Sequence, residues 1–176
     1  MSLRSLLQST IRDVPDFPKP GILFKDITPI LMDASLCKKI VDEFHQQFSS
    51  TKIDSIVGIE SRGFLFGMML AQKFNVPFIT VRKLGKLPYK TISYKYDLEY
   101  GSATMEMHVD AIKPGSRVLI HDDLLATGGT ASAAAELVKM QQGSIVGFAF
   151  LVGLDFLKGK DVLKKHSDTI VTLIDF

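Results

Sequence analysis

Apolar positions along the chain switch repeatedly between a helical and an extended spacing, and this alternation predicts an α/β fold. Leu36, Ile40, Val41, Phe44 and Phe48 recur at helical intervals. Residues 53–59 form a short apolar run ending in Gly58, Ile59 and Glu60, the pattern of a buried strand. A second helix follows, with Phe64, Leu65, Met68, Met69 and Ala71 expected on its buried face, and residues 76–81 again read as a strand with Pro77 near its start. A strand over 118–121, a helix opening near Gly128 and closing at Gly143, and a strand over 145–152 come next. A short helix around 156–163 and a strand over 169–174 complete the series. Strands separated by helices imply a parallel sheet with helices on both faces.

Two segments fall outside this repeating unit. Residues 17–29 contain Pro18, Pro20 and Pro29, which oppose regular helix and favour an ordered extended loop. In 82–110, Ile92, Tyr94, Tyr96, Leu98 and Tyr100 alternate with polar residues, and after Gly101 and Ser102 the alternation resumes at Ala103, Met105, Met107 and Val109. That pattern predicts a two-stranded antiparallel arm inserted into the parallel fold. A long insertion of this kind is expected to cover the carboxyl ends of the core strands. The 176 residues thus divide into an N-terminal hood of about 1–33, a core of about 34–81 and 111–176, and a lid arm of about 82–110, all in one domain.

Composition narrows the function classes. Lys and Arg number 21 against 19 Asp and Glu, so a net charge of +2 gives no support for nucleic acid as the principal partner. The first residues lack a signal-peptide pattern, and no apolar run approaches the roughly 20 residues of a membrane span, so a cytoplasmic protein without membrane partners is expected. The single cysteine, Cys37, suits a reducing compartment and falls in a helical apolar pattern, as a core residue would. His45, His108, His121 and His166 are scattered without metal-ligand spacing, and no protein-held metal is expected.

The densest chemistry lies in 118–130, VLIHDDLLATGGT. A helix N-terminus presents unpaired amides, and Gly128 and Gly129 let a phosphate approach them closely. Thr127 and Thr130 add hydroxyl donors, so Ala126, Thr127, Gly128, Gly129 and Thr130 form a candidate phosphate cradle. Asp122 and Asp123 would repel the same phosphate. Carboxylates only accept hydrogen bonds, and vicinal sugar hydroxyls donate them. The spacing therefore describes a ribose 5-phosphate. The competing reading takes the aspartates as turn formers and the glycines as a helix entry. The loop matches neither GxxxxGK followed by Ser or Thr, nor GxGxxG, which weakens P-loop hydrolysis and dinucleotide binding.

This loop closely resembles the phosphoribosyl-pyrophosphate motif of the type I phosphoribosyltransferases. FPKPGILFKDITPIL, GIESRGFLFG, VRKLGKLPYKT, YDLEYG and VLIHDDLLATGGTA stand in the order and approximate spacing of that family's adenine-specific branch and cover most of 17–131. The resemblance implies an enzyme that converts adenine and phosphoribosyl pyrophosphate into AMP and pyrophosphate, a purine-salvage reaction. It implies a homodimer, and Mg2+ bound mainly through phosphoribosyl pyrophosphate. Glu99 and Arg62 would be catalytic, Glu99 by taking the N9 proton of adenine. Ser61, Arg62, Arg82, Lys83 and Lys86 would hold the pyrophosphate, and the Glu60–Ser61 peptide would be cis. Phe24 would stack on the base, the backbone at Leu23 and Lys25 would read its edge, and Leu124 would form the opposite wall. His121 stands where relatives more often carry an aliphatic residue, either to tune the neighbouring acids or to pack. Two alternatives stay open at this point: a non-catalytic sensor of purine or phosphoribosyl pyrophosphate, and an enzyme for another base.

Overall fold

The computed structural model describes residues 2–97 and 101–176. A first helix, Leu3–Thr10 (α1), starts at Ser2, whose hydroxyl accepts the Ser5 N–H. Two short strands, Arg12–Pro15 (β1) and Leu23–Asp26 (β2), pair antiparallel, and the Phe17–Pro18 peptide between them is cis. A helical turn, Thr28–Leu31 (α2), comes next, so the expectation of continuous extended loop here is corrected. Pro29 sits in its first turn, where a missing N–H costs nothing. Ala34–Gln47 (α3) is capped by Asp33, which accepts the Leu36 N–H at 3.0 Å.

The core alternation then follows as Ser55–Ile59 (β3), Gly63–Phe74 (α4) and Phe78–Lys83 (β4). The arm is Thr91–Asp97 (β5) paired with Ser102–His108 (β6), in a register running from Thr91 opposite His108 to Asp97 opposite Ser102. Arg117–Leu125 (β7), Gly129–Met140 (α5), Ser144–Gly153 (β8), a 3-10 turn over Asp155–Leu157, Gly159–Leu163 (α6) and Ile170–Asp175 (β9) complete the chain.

One sheet runs β5-β6-β4-β3-β7-β8-β9. Its five strands from β4 to β9 are parallel, as expected. The arm is not a separate flap at its root, because Arg82 and Lys83 of β4 pair with Glu106 and Met105 of β6 and carry the sheet into the arm. Leu7, Ile30, Ile40, Phe44, Phe66 and Leu70 pack with Ile56, Leu119 and Leu151 on one face of the sheet. Ala134, Leu137, Val138 and Leu163 pack with Val57, Ile120, Met105 and Met107 on the other.

The buried face of α4 is not the one the spacing suggested. Gly63, Phe66, Gly67, Leu70 and Ala71 face inward, while Leu65 and Met68 remain 44% and 49% exposed. The reason is close approach: a Cβ on Gly67 would lie 2.7 Å from the Phe78 ring, so glycines, silent in a hydrophobicity pattern, define the contact face. β7 also outlasts its expected end at His121. It continues through both aspartates to Leu125 and places them on a strand rather than in a loop. No helix of the described residues is long and apolar enough to cross a membrane.

Candidate active site

Because β4, β3 and β7 are adjacent and parallel, their carboxyl ends open on the same side of the sheet. That geometry brings together three segments far apart in sequence: 60–63 after β3, 82–87 at the end of β4, and 122–130 at the end of β7. The Glu60–Ser61 peptide is cis, and Ser61 is exposed at the start of the turn into α4. Arg62 follows as the residue that opens α4, and its Nε lies 3.0 Å from Oδ2 of Asp123. Its guanidinium also stands 5.1 Å from the centre of the Phe24 ring on β2. Arg62 is therefore the hinge point between the hood and the acidic pair.

Asp123 is buried and Asp122 half-buried, with the Asp123 N–H donating to Oδ1 of Asp122 at 2.9 Å. Burial raises the pKa of both carboxyls above the ordinary aspartate range. At Asp122 the charge of Asp123 adds to burial, and at Asp123 the Arg62 guanidinium opposes it. Two carboxyls short of donors suit a ligand that brings hydroxyl donors to them.

The loop after β7 enters α5 at Gly128, in the left-handed region with φ 82°. No side chain caps this helix, so its first amides stay available to an anion. Asp122, Leu124 and residues 126–130 line a common hollow of about 80 Å³. Larger hollows lie at the other end of the sheet and beside β9, away from this group, so volume alone does not locate the site. The tight course of the loop is held from outside: a Cβ on Gly128 would fall 2.7 Å from the Gly159 carbonyl oxygen at the start of α6.

Arg82, expected among the pyrophosphate ligands, is held here by neighbouring groups of the protein. Its Nη2 donates to Oε1 of Glu60 at 2.9 Å and its Nη1 to the Lys86 carbonyl at 3.0 Å, while Oε2 of Glu60 accepts the Lys83 N–H. The Arg82 guanidinium holds the Glu60 carboxyl below its ordinary range. The side chains of Lys83 and Lys86 are exposed. Glu106, buried on β6, accepts the N–H groups of Lys86 and Leu87 at 2.9 and 2.8 Å and so fixes the turn that carries those lysines. Its place on the polar side of an alternating strand gave no sign of this role.

In the hood, Phe24 meets Phe17 edge to face with centroids 5.1 Å apart, and Leu23 is half exposed. The Lys25 ammonium is occupied by Asp13 at 2.6 Å and by the Phe176 ring at 3.8 Å, which leaves only its backbone for ligand contact. Leu124 is half-buried and packs toward the α3 side of the sheet. His121 is fully buried edge-on to Phe44. Burial lowers its pKa to about 4, so it is a neutral packing residue. Glu99 and Tyr100 lie outside the described residues.

A family model, the phosphoribosyl transferase domain, matches residues 26–175. An adenine phosphoribosyltransferase of Cytophaga hutchinsonii is 52% identical over 174 residues, which cover 99% of this chain and 96% of the relative. The crystal structure of the adenine phosphoribosyltransferase from Rhodothermus marinus superposes with a TM-score of 0.94 at 49% identity, covering 99% of this chain and 98% of that one. The enzyme from Saccharomyces cerevisiae, crystallised with adenine and D-2,5-dideoxy-2,5-imino-altritol 1,6-bisphosphate, superposes with a TM-score of 0.89 at 43% identity, over 97% of this chain and 98% of that one. Likeness of this extent, spanning hood, core and arm together, makes the chain a member of the adenine phosphoribosyltransferase family.

Proposed function

We propose that this protein transfers the 5-phosphoribosyl group of phosphoribosyl pyrophosphate to N9 of adenine, giving AMP and pyrophosphate in purine salvage. The observation that carries the reading is the buried Asp122–Asp123 pair running directly into the uncapped N-terminus of α5. The carboxyls accept the ribose hydroxyls, and the amides and hydroxyls of Ala126, Thr127, Gly128, Gly129 and Thr130 hold the 5-phosphate. Ser61, Arg62, Arg82, Lys83 and Lys86 surround the pyrophosphate, with Arg82 and Arg62 exchanging their present carboxylate partners for phosphate oxygens. Phe24 stacks on adenine above Arg62, the backbone at Leu23 and Lys25 reads its edge, and Leu124 forms the opposite wall. Peptide groups offer a donor and an acceptor side by side, matching the amine and N1 of adenine; a 6-oxo purine presents the reverse.

In the reaction the bond from carbon 1 of the ribose to pyrophosphate breaks, with its electron pair leaving on pyrophosphate, and a bond from N9 forms. Glu99 accepts the N9 proton. The arm of about 82–110 lowers Glu99 over the core of about 34–81 and 111–176, against the hood of about 1–33, and excludes the water that would hydrolyse the activated sugar. Among the described residues no group of three acidic, histidine or cysteine side chains could hold a metal alone. Magnesium, which favours phosphate oxygens and water, would enter bound to phosphoribosyl pyrophosphate and would supply positive charge to the leaving group. The enzyme is a cytoplasmic homodimer in this reading.

The test measures AMP-type product with adenine, hypoxanthine, guanine, xanthine, uracil and orotate, for the wild type and for Glu99→Gln. Adenine is the preferred base, and the Gln variant binds phosphoribosyl pyrophosphate but loses single-turnover rate. Preference for another base sinks the specificity, and an unchanged single-turnover rate sinks the role of Glu99.

A further inference from the structure

Tyr96 lies on the inner side of β5, opposite Ala103, and packs toward α5. Its phenolic oxygen is 3.0 Å from Oγ1 of Thr130, and its ring passes close enough to the helix entry that a Cβ on Gly129 would touch it at 3.6 Å. Among the described residues it is the one arm side chain hydrogen-bonded to the phosphate loop. A hydroxyl has one proton and two lone pairs, whereas a phosphate oxygen accepts only. When Thr130 gives its one proton to a phosphate, its bond to Tyr96 persists only with the Tyr96 O–H as donor. A phenol is a stronger acid than an aliphatic alcohol and is the better donor of the pair.

We infer that Tyr96 is a positioning residue: its O–H donates to Thr130 Oγ1, turns the Thr130 proton toward the 5-phosphate, and so couples phosphate binding to the arm three residues before Glu99. The inference rests on the phosphate reading of 126–130. A hydrogen-bond chain ending on an anion is polarised along its length, so an occupied cradle strengthens the hold on Tyr96.

The test is a double-mutant cycle on the full chain, using Tyr96→Phe, Thr130→Val and both together, read as KM for phosphoribosyl pyrophosphate, KM for adenine, and kcat. Tyr96→Phe keeps the packed ring and raises KM for phosphoribosyl pyrophosphate about 2- to 10-fold, the range of one net hydrogen bond, with KM for adenine nearly unmoved. In the Thr130→Val background it causes no further loss, and Thr130→Ser restores the dependence on Tyr96. An unchanged or lower KM in Tyr96→Phe overturns the inference, because the donor would then be Thr130. An equal loss in both backgrounds overturns it too, since packing alone would act that way. A wild-type KM in Thr130→Val overturns the phosphate reading itself, and the positioning role with it.

Discussion

Asp122 combines a half-buried carboxyl, a neighbouring acid, and a glycine pressed against it, since a Cβ on Gly63 would lie 2.9 Å from Oδ1. Burial first, and then the charge of Asp123, raises its pKa in the folded state. For an acid with a raised folded pKa, the unfolded chain ionises first, so stability falls as pH rises from the ordinary aspartate range toward the folded value. Asp122→Asn removes that loss. We expect it to raise Tm at pH 7, with the gain vanishing as pH falls through the ordinary aspartate range, while KM for phosphoribosyl pyrophosphate worsens. Thermal melts across pH check this, and a lower Tm at pH 7 would contradict it. Glu60 has the opposite sign, because its pairing with Arg82 stabilises the ionised form and is lost in acid. The site thus carries two acids whose charge burial resists, Asp122 and Asp123, and one, Glu60, whose charge its arginine partner favours.

At the scale of elements, glycines set how closely the pieces meet. Gly159 opens α6 against the phosphate loop, where a Cβ would fall 2.2 Å from the Ala126 carbonyl oxygen and 2.9 Å from a Leu125 methyl. Neither backbone can yield without moving the loop. Gly159→Ala should raise KM for phosphoribosyl pyrophosphate by about tenfold or more, since a displacement of about 1 Å at a site costs on that order or beyond, and leave KM for adenine near wild type. Steady-state kinetics with each substrate varied in turn decides it; equal rises in both would point to general loosening instead. Glu106 does the corresponding work for the turn after β4, where its carboxylate accepts the Leu87 amide and the Lys86 amide, the latter shared with the Lys83 carbonyl. Sequence periodicity placed a short helix around 156–163, left the turn after β4 undivided within 82–110, and was blind to the residues that lock them.

Across the whole molecule, Leu65 and Met68 of α4 and Leu84 and Tyr89 after β4 leave apolar surface uncovered near the open end of the sheet. The proposed homodimer would bury that surface in a symmetric pair. Sedimentation equilibrium should give twice the chain mass at micromolar concentration, with Met68→Glu shifting it toward monomer; a monomeric wild type would rule the pair out. Periodicity alone was sufficient for the order of strands and helices from α3 onward and for the antiparallel arm, because each depends on neighbours within a few residues; it gave no sign of α1, β1, β2 or α2. It erred where distant packing prevailed. Gly63 and Gly67 turned the buried face of α4, and pairing with β8 carried β7 through both aspartates. The Arg62–Asp123 ion pair, the Glu60 clamp on Arg82 and the Tyr96–Thr130 bond join residues 22 to 61 positions apart. Local sequence names those groups. The parallel alignment of β4, β3 and β7 at one end of the sheet decides that the first two pairs meet, and the packing of β5 against α5 decides the third.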